Sequence, residues 1–182
     1  MSIFKKSVIY FFVIIIVLFF GSGIIFAVSF KTIYKDIVID AGNLYNIESA
    51  LIFSIIKAES KFKANSESNA GAIGLMQIKL DTANYMRSLN GDSEIAKEEL
   101  FVPENNIKLG TQYLSYLIHR FENIDTSICA YNAGETIVNN WLSDSTISDD
   151  GKTLKIIPYP ETETYFNRVK FNYKIYKKML KI

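Results

Sequence analysis

Glu59 is the residue whose setting most clearly promises chemistry. Ile52, Ile55 and Ile56 precede it by seven, four and three residues. On a helix all three share its face. A carboxyl in line with an apolar stripe loses hydration, which favours its neutral form. The spacing predicts a helix over Ala50–Lys61. Glu59 then sits near the carbonyl end of the macrodipole, which also disfavours negative charge. Both effects describe an acid that keeps its proton near neutral pH, as proton-donor catalysis requires.

The other reactive types offer less. Cys129 is the only cysteine and His119 the only histidine, and they fall on different predicted helices. Cys129 reads as a buried structural thiol rather than a nucleophile. One histidine and no cysteine cluster build no usual zinc centre, so no metal or other cofactor is expected. A phosphate loop and a dinucleotide fingerprint are absent. Glu67 reads as a solvated loop charge.

Glu59-Ser60, then Gly71-Ala72-Ile73-Gly74-Leu75-Met76-Gln77, then Ala130-Tyr131-Asn132-Ala133-Gly134 stand in order along the chain. A fourth motif, Pro158-Tyr159-Pro160-Glu161-Thr162, follows. This set resembles the signature of lytic transglycosylases of the soluble-lytic-transglycosylase (SLT) type. These are lysozyme-like enzymes that cleave peptidoglycan. The resemblance covers roughly Ile39 to Tyr176. It implies that Glu59 is the catalytic acid and then the base, acting between N-acetylmuramic acid and N-acetylglucosamine. The product would carry a 1,6-anhydromuramyl end. The resemblance also implies that Ser60, Ser68, Met76, Gln77, Tyr131, Asn132 and Glu161 bind substrate. Ser68 would hydrogen-bond around the reacting sugar, the Tyr131 hydroxyl would steady the acid, and Glu161 would line the far side of the groove. The same acid also serves a goose-type-like muramidase, in which water replaces the C6 hydroxyl. A glycan-binding or scaffolding module of an envelope-spanning machine is the remaining alternative. The sequence departs from the family at Lys79, where the pattern commonly has methionine. Lys79 is a candidate partner for a stem-peptide carboxylate.

The elements that hold these residues are mostly helical. Asn65–Gly74 reads as loop, with Gly71 and Gly74 suited to positive φ or close approach. Asn46–Glu48 offers start chemistry for the Ala50–Lys61 helix, and Asp81 or Thr82 a cap for a short helix to Arg87. Asn90-Gly91-Asp92 is a turn signal. Helices are predicted over Asn105–Phe121, Thr126–Ala133, Glu135–Leu142 and Thr162–Ile182. In the first of these Ile107, Gly110, Leu114, Leu117 and Phe121 share a side. In the last, Tyr165, Val169, Tyr173, Tyr176 and Leu180 do. Pro158 and Pro160 are expected to block helix, and Ser143–Lys152 reads as a mobile surface loop. The fold class is mainly α: a lysozyme-like helical domain preceded by one transmembrane helix.

That first helix is Val8–Val28, a run without a charged residue. About 21 residues at 1.5 Å each reach roughly 30 Å, the thickness of a bilayer core. Ala27 and Ser29 offer a small-residue cleavage site, but the run exceeds the 7–15 apolar residues, roughly, of a signal core. A retained anchor is therefore expected. The division is 1–7 cytoplasmic, 8–28 transmembrane, 29–38 connector and 39–182 catalytic domain. The anchor would hold the domain at the cell membrane on the extracytoplasmic side, where peptidoglycan strands lie. The chain carries net charge +1, and removing Lys5 and Lys6 leaves the remainder at −1. Nucleic acid is not an expected partner of such a domain.

Overall fold

The structure is a computed structural model that describes residues 30–181. The expected cytoplasmic segment and the expected membrane anchor lie outside the described residues. Among the described residues, no helix is long and apolar enough to cross a membrane. The compact unit Ile33–Ile182 is mainly helical.

Helix α1 (Lys35–Tyr45) begins inside the segment read as a connector. It leads to α2 (Ser49–Glu59), which ends on the acid, with Ser60 as its C-cap. In α2, Ala50 to Ile56 and Ala58 are all buried. A helix this apolar belongs inside the fold, so the stripe read from the sequence is one part of a helix buried along most of its length, with Lys57 and Glu59 only partly covered. Expected start chemistry at Asn46–Glu48 is not used. Asn46 instead closes α1 in a left-handed conformation, and Glu48 accepts from the Tyr173 hydroxyl at 2.6 Å.

The loop after α2 folds into a two-stranded antiparallel hairpin, β1 (Ala72–Ile73) with β2 (Ile78–Lys79). Strands of two residues are too short to show alternation in a sequence. Gly74 in the turn has φ +77°, and a Cβ there would lie 2.6 Å from the Leu100 carbonyl oxygen and collide with Asn106. Only glycine fits this site.

Helix α3 (Leu80–Leu89) follows without a side-chain cap, so Asp81 and Thr82 lie inside its first turn rather than before it. A 3-10 turn (Lys97–Phe101) leads into α4 (Pro103–Phe121). Ile107, Gly110, Leu114, Leu117 and Phe121 of α4 are buried, as their spacing predicts. Helix α5 (Ile124–Ala133) is capped by the Asn123 side chain, which accepts from the Thr126 N–H at 3.0 Å. Helix α6 (Glu135–Leu142) has its predicted bounds.

The last helix, α7 (Pro160–Met179), corrects the reading of Pro160 as a block. Proline at the first helical position lacks only an N–H that has no intrahelical partner anyway. Tyr165, Val169 and Tyr176 of α7 are buried, and Tyr176 stacks on Phe53 of α2 at 5.3 Å. The segment 143–152 is hydrogen-bonded within itself rather than loose. The Asp150 carboxylate accepts from the N–H groups of Lys152 and Thr153 at 2.8 and 2.7 Å.

Candidate active site

Two cavities meet at the end of α2. One, of about 420 Å³, is lined by Glu59, Ser68, Gln77, Lys79, Thr82, Tyr113, Tyr131, Asn132 and Glu161, among others. The other, of about 480 Å³, is lined by Ala58, Glu59, Asn132, Pro160, Glu161, Thr164, Tyr165 and Arg168. Glu59, Asn132 and Glu161 belong to both. Together the cavities form a groove that passes the acid, walled by the hairpin, α3 and α4 on one side and by α7 on the other.

Glu59 is half-buried at the last position of α2. Burial pushes its carboxyl from 4.5 up to about 7. Two neighbours pull the other way: the Tyr165 hydroxyl by hydrogen bonding and the Arg168 guanidinium by its charge. Desolvation wins, as it does for carboxyls in apolar pockets. The Tyr165 hydroxyl is buried and completes no hydrogen bond of standard geometry. Burial first, and then the neighbouring Glu59, raise this phenol well above its ordinary value, so it keeps its proton.

The hairpin side is fixed by one buried side chain. Asn106 donates to the carbonyls of Ile73 and Leu100, both at 2.8 Å, and accepts from the Met76 N–H at 2.7 Å. The turn is thereby held against the start of α4. Gln77, at φ 49°, follows directly. Its amide donates to the Gly74 and Ser66 carbonyls at 2.9 and 3.1 Å, which leaves its amide oxygen for a ligand. Ser68 accepts from the Ala72 N–H at 3.0 Å, and its hydroxyl proton remains available.

Tyr131 stands at the end of α5. Its hydroxyl donates to the Met76 carbonyl at 3.0 Å, and its ring leans on that of Tyr113 at 5.3 Å. Burial and the nearby Glu59 raise the Tyr131 phenol well above its ordinary value, so it stays a donor. Asn132 accepts from Thr162 Oγ1 at 2.8 Å, tying α5 to the first turn of α7.

Seven residues named from the sequence thus line the groove: Glu59, Ser68, Gln77, Lys79, Tyr131, Asn132 and Glu161. Two do not reach it. Met76 is fully buried against Gly110 and Thr111, and only its carbonyl serves the site, through Tyr131. Ser60 is buried too, and its hydroxyl donates to the Ile56 carbonyl at 3.2 Å. It closes the helix instead of lining the groove.

Tyr113, Tyr165 and Arg168 are groove residues that sequence reasoning missed. The signal for two of them was present. Glu161, Thr164, Tyr165 and Arg168 recur at i, i+3, i+4 and i+7, which is one face of α7. A third cavity, of about 430 Å³, lies on the other side of α7 near Cys129 and Phe166. Burial pushes the Cys129 thiol up to about 12, so it is no nucleophile there.

Residues 36–153 match the family model described as "Transglycosylase SLT domain". The soluble lytic murein transglycosylase of Escherichia coli (strain K12) is 34% identical over 145 residues. That match takes in 77% of this chain and 22% of the relative, so the chain spans about a fifth of that protein. Membrane-bound lytic murein transglycosylase E of Buchnera aphidicola is 38% identical over 93 residues, 50% of this chain and 42% of that protein. Among solved structures, an inactive mutant of lytic transglycosylase Slt from Pseudomonas aeruginosa superposes with a TM-score of 0.74. It is 31% identical, and the match covers 84% of this chain and 25% of that one.

Proposed function

Because this chain belongs to the transglycosylase SLT domain family, we propose that it is a peptidoglycan lytic transglycosylase with Glu59 as its single proton-transfer group. The observation that carries this reading is the Glu59 carboxyl, pushed up to about 7 at the junction of two cavities. A carboxyl with that value is substantially protonated at neutral pH and can also act as a base once it has given its proton up.

The reaction follows from one group used twice. Protonated Glu59 donates to the oxygen joining C1 of N-acetylmuramic acid to N-acetylglucosamine, and the C1–O bond breaks. The resulting carboxylate takes the proton from the muramyl C6 hydroxyl, whose oxygen bonds to C1. Glu59 ends protonated, no water is consumed, and the muramyl end is a 1,6-anhydro ring. Most glycosidases need a second carboxylate because water or the enzyme must supply the nucleophile. Here the substrate supplies it. Ser68 and Gln77 are set to hydrogen-bond the reacting sugars, and Tyr131 and Asn132 hold the wall beside them. Glu161 lines the opposite wall. On the hairpin side, Lys79 is exposed and positioned to pair with a stem-peptide carboxylate.

Glu161 also favours a second reading. It shares both cavities with Glu59, and a second carboxylate in the groove could activate water as in a muramidase. Mass spectrometry of peptidoglycan digested by the full-length chain in mild detergent separates the two. Products one water lighter than hydrolytic fragments, without a reducing end, support the transglycosylase. Reducing ends establish the muramidase instead. A binding or scaffolding module would yield neither product and would have no use for a proton donor.

We also infer that residues 8–28 anchor the chain in the cell membrane, with the groove on the extracytoplasmic side. An uncharged run of this length and the two lysines that precede it support the inference. Carbonate extraction of membranes checks it: release of the full chain by alkaline carbonate would rule out a spanning anchor.

A further inference from the structure

Arg168 lines the cavity on the α7 side of Glu59. A guanidinium presents five N–H donors in a planar fork. Here only Nη1 is engaged, by one long bond of 3.4 Å to the Ala58 carbonyl. Among the described residues Arg168 is in no ion pair, whereas its α7 neighbours Lys170 and Lys177 are paired with Asp125 and Glu48. The side chain is exposed. A charged fork with most of its donors unspent therefore stands at the wall of the groove.

We propose that Arg168 is a specificity residue that binds a carboxylate of the peptide stem carried by the glycan strand. This rests on the peptidoglycan reading above. Muramyl residues alternate with glucosaminyl residues. Cleavage between them leaves one muramyl residue beside the bond on one side and one a sugar further away on the other. Whichever way the strand lies, stems leave it on both sides of Glu59. The strand's own sugars carry hydroxyl and acetamido groups, which have no need of a cation. The stems carry free carboxylates, and a guanidinium takes a carboxylate through two parallel N–H···O bonds. Glu161 sits two helical turns before Arg168, roughly 10 Å along the axis. That separation along α7 leaves room for a carboxylate to be held at Arg168 clear of the Glu161 charge.

The test uses the full-length chain on three soluble substrates: glycan strands with native stems, strands with stem carboxylates converted to amides, and strands stripped of stems by an amidase whose freed lactyl carboxylates are then capped as methylamides. For the wild type, amidation is expected to lower kcat/KM roughly ten- to a hundredfold, the range of a charge-assisted bidentate pair. Arg168→Gln should lower the ratio of kcat/KM on native stems to kcat/KM on stripped strands by a similar factor. Arg168→Lys, which keeps the charge but not the fork, should fall between. A wild-type enzyme indifferent to stem amidation overturns the proposal without any variant having to fold. So does an equal loss by a folded Arg168→Gln on native and stripped strands, which would mark Arg168 as acting through Glu59 or Ala58. If the wild type cleaves none of the three substrates, the peptidoglycan reading itself falls and this proposal with it.

Discussion

The Tyr131 hydroxyl donates its proton to the Met76 carbonyl at 3.0 Å, which joins the end of α5 to the hairpin turn across 55 positions of sequence. The family resemblance implies that this hydroxyl steadies the acid. In the structure its hydrogen bond goes to the backbone just before Gln77. Tyr131→Phe should therefore act through position. Removing the donor from a buried carbonyl costs about 1–2 kcal/mol. The denaturation midpoint should fall accordingly, and KM for glycan strands should rise as Gln77 loses its fixed setting. A variant with unchanged midpoint and KM but reduced kcat would return the hydroxyl to the chemical step.

Asn106 is the stronger brace. Asn106→Ala strips partners from one N–H and two carbonyls that are closed to water. The loss should be at least about 2 kcal/mol, because each buried group left unpaired costs roughly 1–3. Urea denaturation of the two proteins measures it. A loss under half a kilocalorie would mean that water enters and replaces the amide.

Glu59 makes stability depend on pH. Its carboxyl titrates at 4.5 when unperturbed and at about 7 in the fold. The folded state binds this proton more tightly. The group's contribution to stability is therefore complete below 4.5 and is lost as pH rises through about 7. Glu59→Gln stays neutral throughout. Its melting temperature should exceed that of the wild type at pH 8, by the equivalent of up to about 3 kcal/mol at 1.36 kcal/mol per pH unit. The gap should close toward pH 5. A constant gap from pH 5 to 8 would contradict the raised carboxyl.

Tyr165 pulls Glu59 in the opposite direction to burial. Tyr165→Phe removes that influence together with a hydroxyl that has no well-formed partner. Stability should change by less than about 1 kcal/mol. The alkaline limb of the kcat/KM profile should move to higher pH, with a loss of about tenfold in rate as the acid loses its orienting neighbour. An alkaline limb that stays in place would show that the phenol does not touch the acid.

What could be read in advance has a physical pattern. The apolar approach to Glu59 was legible because helical periodicity needs only residue types. Ser68, Gln77, Tyr131, Asn132 and Glu161 were found through their motifs, not through any property of their own. Met76 and Ser60 sit inside two of the same motifs yet point into the core, since a motif records neighbourhood and not side-chain direction. Helical spacing marks Tyr165 as a core residue. It is one, and its phenol still reaches the acid, a double role that periodicity cannot separate. Arg168 has no motif around it in the sequence, and only the fold of α7 brings it to the wall of the groove. Asn106 stands in a stretch, Pro103–Ile107, that resembles a family segment, but its bracing role is not legible because its three partners lie 6 to 33 positions away. The helix starts were misread where backbone geometry replaced side-chain caps, as at Lys79 and Pro160.

The most direct test is the turnover of purified peptidoglycan by the full-length chain and by Glu59→Gln, followed as release of anhydromuramyl fragments. The glutamine keeps the shape of the groove and removes the titrating proton. The expected result is a folded variant that still binds glycan strands and has lost about two to four orders of magnitude in rate, the contribution of a general acid. A folded Glu59→Gln protein that releases anhydromuramyl fragments at the wild-type rate would contradict the role assigned to Glu59.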